Sequence, residues 1–185
     1  MKQSGKVAGA LLFVGTAQFI LFMLIAECIY PGYSVSRNYI SDLGRLDAIS
    51  APVFNISVFV LGLTVVASAY FLRRIASSRV FLISLILCGI GAMGVGVFPE
   101  NFGTLHSIVS FITFFFGAIS AIASYKVQKP PLYYFAVVLG LTSLVALVLF
   151  AMDVDLGLDL GGMERMIVYP LLSWTMGFGG YLMKE

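Results

Sequence analysis

Six apolar stretches recur along this chain, at residues 7–29, 52–72, 80–98, 105–125, 132–152 and 163–183. The segments joining them are short except the first, 30–51. Each stretch has about the 20 apolar residues a helix needs to cross the hydrocarbon core of a bilayer. In lipid, backbone amides must be satisfied within the segment, so such runs read as helices. The expected fold is an all-α membrane protein: one domain over residues 1–185, a bundle of six transmembrane helices. Composition agrees. The chain is 60% hydrophobic and 11% charged, against about 25% charged in a soluble domain. A water-facing exterior would run short of polar residues. The first stretch is too long for a signal peptide and has no small-residue cleavage site, so it reads as a retained helix.

The charges fix an orientation. With the N-terminus in the cytoplasm, the inner ends hold Lys2, Lys6, Arg73, Arg74, Arg79, Lys126, Lys129 and Lys184, with Glu185 as the one acid. The outer side holds Glu27, Asp42, Asp47, Glu100, Asp153, Asp155, Asp159 and Glu164, with Arg37, Arg45, Arg165 and His106. Thus 8 of 11 basic residues lie inside, as short cytoplasmic loops require. An even number of spans then puts both termini in the cytoplasm of a multi-pass cell-membrane protein. Acids contribute little to orientation, so their gathering on the outer side needs another cause. The basic residues are scattered over several inner segments and offer no nucleic-acid surface.

Punctuation supports the spans. Ser50 and Pro52 open the second helix. Pro99 ends the third, Thr104 is a candidate cap for the fourth, and Pro130 and Pro131 precede the fifth. Gly161 and Gly162 are expected just before the sixth. Gly89, Gly91, Ala92, Gly94 and Gly96, then Gly117 and Ser120, then Gly177, Gly179 and Gly180, mark expected helix contacts, because small residues let backbones approach in lipid. Cys28 and Cys88 fall at different depths, so no disulfide is expected.

The outer ends of the first, third and fifth helices carry Glu27, Glu100 and Asp153. An anion at a helix C-terminus is unfavourable by roughly 0.3–1 kcal/mol, so a cation should compensate. Arg37, Arg165, His106 or a bound metal are the candidates. Glu27 lies inside an apolar run, where an ionisable group marks a functional site by default; a structural ion pair is the plain alternative. His106, the only histidine, can serve as a general base, a structural hydrogen-bonding group, or a ligand. With Asp42, Glu100 and Glu164 it would make a mixed His/carboxylate site for a divalent cation. Arg37 and Arg165 have the forked donors that bind phosphate headgroups. Tyr30, Tyr33, Tyr39, Tyr169 and Trp174 fit an interfacial belt or a headgroup pocket. Acids from Asp153 to Glu164 fall where an EF-hand places them, but Leu158 stands at the turn-glycine position, which leaves at most a looser acidic cation site.

Short motifs carry a family resemblance. Arg37–Gly44 with Ile40-Ser41-Asp42-Leu43-Gly44, then Phe98-Pro99-Glu100 followed by His106, then Gly162-Met163-Glu164-Arg165 with Pro170 and Trp174, resemble a prokaryotic family of six-helix membrane proteins called domain of unknown function 998. The resemblance implies fold and location and no established activity. A fainter likeness, through Ile-Ser-Asp-x-Gly and Asn55, is to the eukaryotic Frag1/DRAM/Sfk1 membrane proteins.

No P-loop, dinucleotide fingerprint, haem signature or standard nucleophile motif is present. The leading expectation is a site on the outer face that binds membrane lipid or a cation. It extends to metal-assisted hydrolysis of a lipid or phosphoester, with His106, Glu100 and Asp42 in catalysis and Arg37, Arg165, Glu27 and Trp174 holding substrate. The alternatives are a non-catalytic scaffold or chaperone, and a small transporter or channel with Glu27 and Asp153 facing its path.

Overall fold

Proline and glycine set the joints of a chain that is otherwise helix. The computed structural model describes residues 2–76 and 78–184; Met1, Ser77 and Glu185, the one acid assigned to the inner side, lie outside them. The long helices are α1 (Lys2–Ile29), α2 (Ala51–Leu72), α3 (Arg79–Val97), α4 (Thr104–Ala123), α5 (Leu132–Ala151) and α6 (Asp159–Lys184). Short 3-10 turns occupy Ser41–Gly44, Glu100–Phe102 and Ser124–Lys126, and no strand forms among the described residues. α1 to α5 are long and apolar enough to cross a membrane. α6 mixes Gly, Ser, Thr, Tyr, Trp and Pro170 with Glu164 and Arg165 and is not among them.

Helix starts differ from expectation at two places. Gly103, at a φ of 53°, caps α4, and Thr104 is its first residue rather than its cap. α6 begins at Asp159, so Gly161 and Gly162 lie within it. Both donate their N–H groups to the Ser36 carbonyl, at 2.8 and 3.1 Å. A helix cannot satisfy its own first amides; here the first loop supplies the partner and the helix starts a turn earlier. Ser50 does occupy the cap position of α2, but its hydroxyl donates to the Leu43 carbonyl at 2.7 Å.

Each helix packs against its sequence neighbours, and α6 returns to α1 to close the ring. Small residues sit at the crossings. A Cβ on Gly62 of α2 would strike the Gly89 carbonyl of α3, and one on Gly9 of α1 would strike that of Gly179 in α6. Gly177 and Gly180, expected at contacts, face open space. Two buried apolar clusters result. One lies toward the end bearing the termini, with Leu12, Leu72, Phe81, Trp174 and Phe178. The other lies toward the opposite end, with Phe19, Phe54, Val58, Val95 and Leu172, and takes in Ile40 and Leu43 of the first loop. Cys28 and Cys88 are both free thiols.

Candidate functional site

The first loop, residues 30–50, folds down over the end of the ring opposite the termini. Local chemistry shapes it first. The Asp42 carboxylate accepts from the Tyr39 N–H at 2.9 Å and from the Asn38 side-chain amide at 3.0 Å, which fixes the entry to the Ser41–Gly44 turn. The Asn38 oxygen accepts from Ser34 N–H at 3.0 Å. At the far side, Asn55 of α2 donates to the Gly44 carbonyl at 2.8 Å.

α6 then clamps this loop with two consecutive side chains. Glu164 is buried and accepts from the Ile40 N–H, and the Ser41 N–H also bonds to it. Arg165, also buried, gives Nη2 to Glu27 of α1 at 2.7 Å and to the Tyr33 hydroxyl at 2.7 Å. Its Nη1 donates to the carbonyls of Asn38 at 3.2 Å and Gly161 at 3.0 Å. The ion-paired side chains are only 6% and 13% exposed. Such a pair stands on its surrounding hydrogen bonds, because desolvating two charges costs about as much as their attraction returns. Burial pushes the Tyr33 phenol up to about 12, against the opposing pull of Arg165. It therefore stays protonated and donates to the Tyr39 carbonyl at 3.0 Å. Gly161 is required in this clamp, since a Cβ would run into the Asn38 and Val35 carbonyls.

Glu100 and Asp42 meet nearby. Burial first, then a hydrogen bond shared with Asp42 and repulsion from it, pushes the Glu100 carboxyl up to about 7. Asn101 ties this turn to the first loop by accepting from Leu46 N–H at 2.7 Å. Arg45 pairs with Asp47 at 3.3 Å on the surface.

His106 lies at the start of α4 and is buried. Its Nδ1 lies 2.9 Å from the Phe98 carbonyl and its Nε2 lies 3.2 Å from the Ser110 hydroxyl. Both ring nitrogens are thus engaged by protein groups. Among the described residues no three His, Cys, Asp or Glu side chains gather as a metal-ligand set. Arg37 is exposed on the loop, Asp153 and Asp155 are exposed on the α5–α6 loop, and Asp159 is exposed as the first residue of α6. In that loop Asp155 accepts from the Gly157 N–H at 2.9 Å, a local turn bond. Trp174 sits in the core cluster nearer the termini, donates to Ser124 Oγ at 3.1 Å and stacks on Phe178. An indole buried in a core needs a partner for its N–H, and Ser124 supplies one far from the loop.

Beneath the clamp, between the two apolar clusters, lies a cavity of about 90 Å³. Ile40, Ser41 and Glu164 line it at the clamp, and Val65, Cys88 and Thr175 at its deep end. Ser110 and Thr113 of α4 also line it. Sequence reasoning missed Ser110, whose signal was its place four residues after His106, one helical turn on.

A family model described as "Protein of unknown function (DUF998)" matches residues 13–180. No curated protein and no solved structure matches the chain.

Proposed function

The chain belongs to the DUF998 family, and for this member we propose a multi-pass cell-membrane protein, termini in the cytoplasm, that binds part of a membrane lipid beneath its outer clamp. In this reading all six helices span, and α6 does so shielded by its neighbours rather than exposed to lipid. The basic residues of the terminus-bearing end set the orientation, and the clamped loop faces outward.

The observation that carries lipid binding is the cavity. Its wall is nearly all apolar, from Phe19, Phe54, Val58, Ala92, Val95 and Leu172, with the Glu164 carboxylate at one end. Apolar cavities stay dry and take apolar guests; a cavity of about 150 Å³ takes benzene. At about 90 Å³ this one admits a short run of a single chain rather than a whole lipid. The Arg37 side chain, exposed on the loop above, suits an anionic headgroup. Three of the four ligands first considered for a divalent cation are engaged in other bonds, Glu164 with the loop backbone, Asp42 with Tyr39 and Asn38, and His106 with Phe98 and Ser110, while one buried oxygen of Glu100 has no hydrogen-bond partner.

The closed clamp also suits a scaffold, and one experiment separates the two. A phospholipid with a photoreactive diazirine in its acyl chain is added to the purified protein in nanodiscs. Crosslinks at Ala92, Val95 or Leu172, lost when Ala92→Phe fills the cavity, are the expected result. Crosslinks confined to outward-facing side chains such as Ile56 and Val138 would defeat lipid binding in the cavity and leave the scaffold.

A further inference from the structure

We infer that Ser110, which lines the cavity, and His106 behind it form a nucleophile–base pair suited to cleaving an ester with a short acyl group. The pair rests on three observations. First, the tautomer is set. The Phe98 carbonyl, at the C-terminal cap of α3, can only accept, so in the neutral ring Nδ1 carries the proton. Nε2 is then a lone pair, 3.2 Å from the Ser110 hydroxyl. A base oriented by a second group and placed against a hydroxyl is the geometry that activates a serine.

Second, Ser110 departs from its neighbours. A helical hydroxyl ordinarily donates to the carbonyl four residues back. Ser84, Ser107, Thr113, Thr142 and Thr175 do so here, to Val80, Gly103, Val109, Val138 and Leu171. Ser110 turns to the imidazole instead. Third, Ser110 is part of the wall of the apolar cavity, which Glu164 and Thr113 also line. The rest of the wall is mostly apolar, and a polar contact strengthens as the dielectric around it falls.

The step balances without metal or redox partner. Ser110 Oγ attacks the ester carbonyl carbon while its proton passes to His106 Nε2. The tetrahedral intermediate collapses, the carbon–alkoxy bond breaks, and the leaving oxygen takes the proton from the imidazolium. Water then attacks the acyl-serine with His106 again as base, which releases the carboxylic acid and restores the hydroxyl. Thr113, three residues on in α4 and lining the same cavity, has a hydroxyl that can rotate toward the developing oxyanion. The cavity volume of about 90 Å³ sets the acyl group at a few carbons.

The inference uses the cavity of the proposed function, but its test does not require bound lipid. The full chain in detergent is treated with a fluorophosphonate probe, which phosphonylates activated serines, and the adduct is mapped by mass spectrometry. The expected adduct is on Ser110, formed at least about 100-fold more slowly in His106→Gln, the low end for a lost general base, and suppressed by p-nitrophenyl butyrate. Ser110→Ala should lose the adduct, whereas Ser107→Ala, at an exposed serine of the same helix, should keep it. If His106→Gln does not fold, suppression by the ester and the Ser110→Ala result decide alone. An unlabelled wild type of native helix content, or an adduct only at other serines, overturns the inference. Acyl-chain crosslinking that persists in Ser110→Ala would show that lipid binding stands without it.

Discussion

α5 and α6 lie side by side in the ring and bury themselves in opposite ways. Five of the 20 residues of α5 are buried, mostly small ones: Ala136, Gly140, Ser143, Ala146 and Leu147. Fourteen of the 26 in α6 are buried, among them Glu164, Arg165, Trp174 and Phe178. α5 is apolar all round because much of it faces outward, whereas α6 can carry charge, indole and glycine because protein covers it. Hydropathy reports contact with lipid rather than importance. The helix that holds the clamp is therefore the one a hydropathy reading ranks last.

The largest test of that contrast is Arg165→Gln in α6. It strands the largely buried Glu27 carboxylate and frees the Asn38 carbonyl. Removing one partner of a buried pair costs about 3–5 kcal/mol. Unfolding in mixed micelles should show that loss, and adding Glu27→Gln should recover part of it. A loss under about 1 kcal/mol would mean that the clamp is solvated like a surface pair.

A smaller effect lies at the Glu100–Asp42 contact beside the clamp. The folded state holds the Glu100 proton more tightly than the unfolded chain, since burial and Asp42 push the carboxyl up to about 7. The Glu100 contribution to stability is thus full below the usual carboxylate value and is lost as pH rises through about 7. Asp42, Arg45, Asp47 and Glu164 are charged groups that interact with it. Melting temperatures between about pH 4 and pH 8 should decline more steeply in the wild type than in Glu100→Gln. An equal slope in both would assign the pH dependence to another group.

The smallest effects belong to α5. Ser143 donates to the Ile167 carbonyl of α6 at 2.8 Å, and Ser143→Ala should cost about 0.6 kcal/mol, the mean for such bonds in membranes. Val145, 57% exposed, should tolerate Ala within about 0.5 kcal/mol. A cost at Val145 above that at Ser143 would mean that a further protein surface covers this face.

The sequence by itself determined the helices and the end at which their polar groups collect. Twenty-residue apolar runs have few alternatives in lipid, where the backbone must bond to itself, and Pro and Gly set the joints. It also made Glu27 conspicuous, because a carboxylate in an apolar run has few uses. The tertiary structure alone decided the pairings. Arg165 meets Glu27 across 138 positions, and Glu164 meets Ile40 across 124. No local pattern in either segment encodes the other. The start of α6 went the same way: its first amides are satisfied by the Ser36 carbonyl, a group of a distant loop, so no local rule could place Gly161 and Gly162 inside the helix. Residue type suits Trp174 to an interfacial belt or a headgroup pocket, yet it lies in the core, where Ser124 accepts its N–H. Which hydroxyl meets His106 was half legible, since Ser110 is one turn away. That Ser110 lines a cavity depends on α1, α2, α3 and α6 closing around it, a fact of packing over the whole ring.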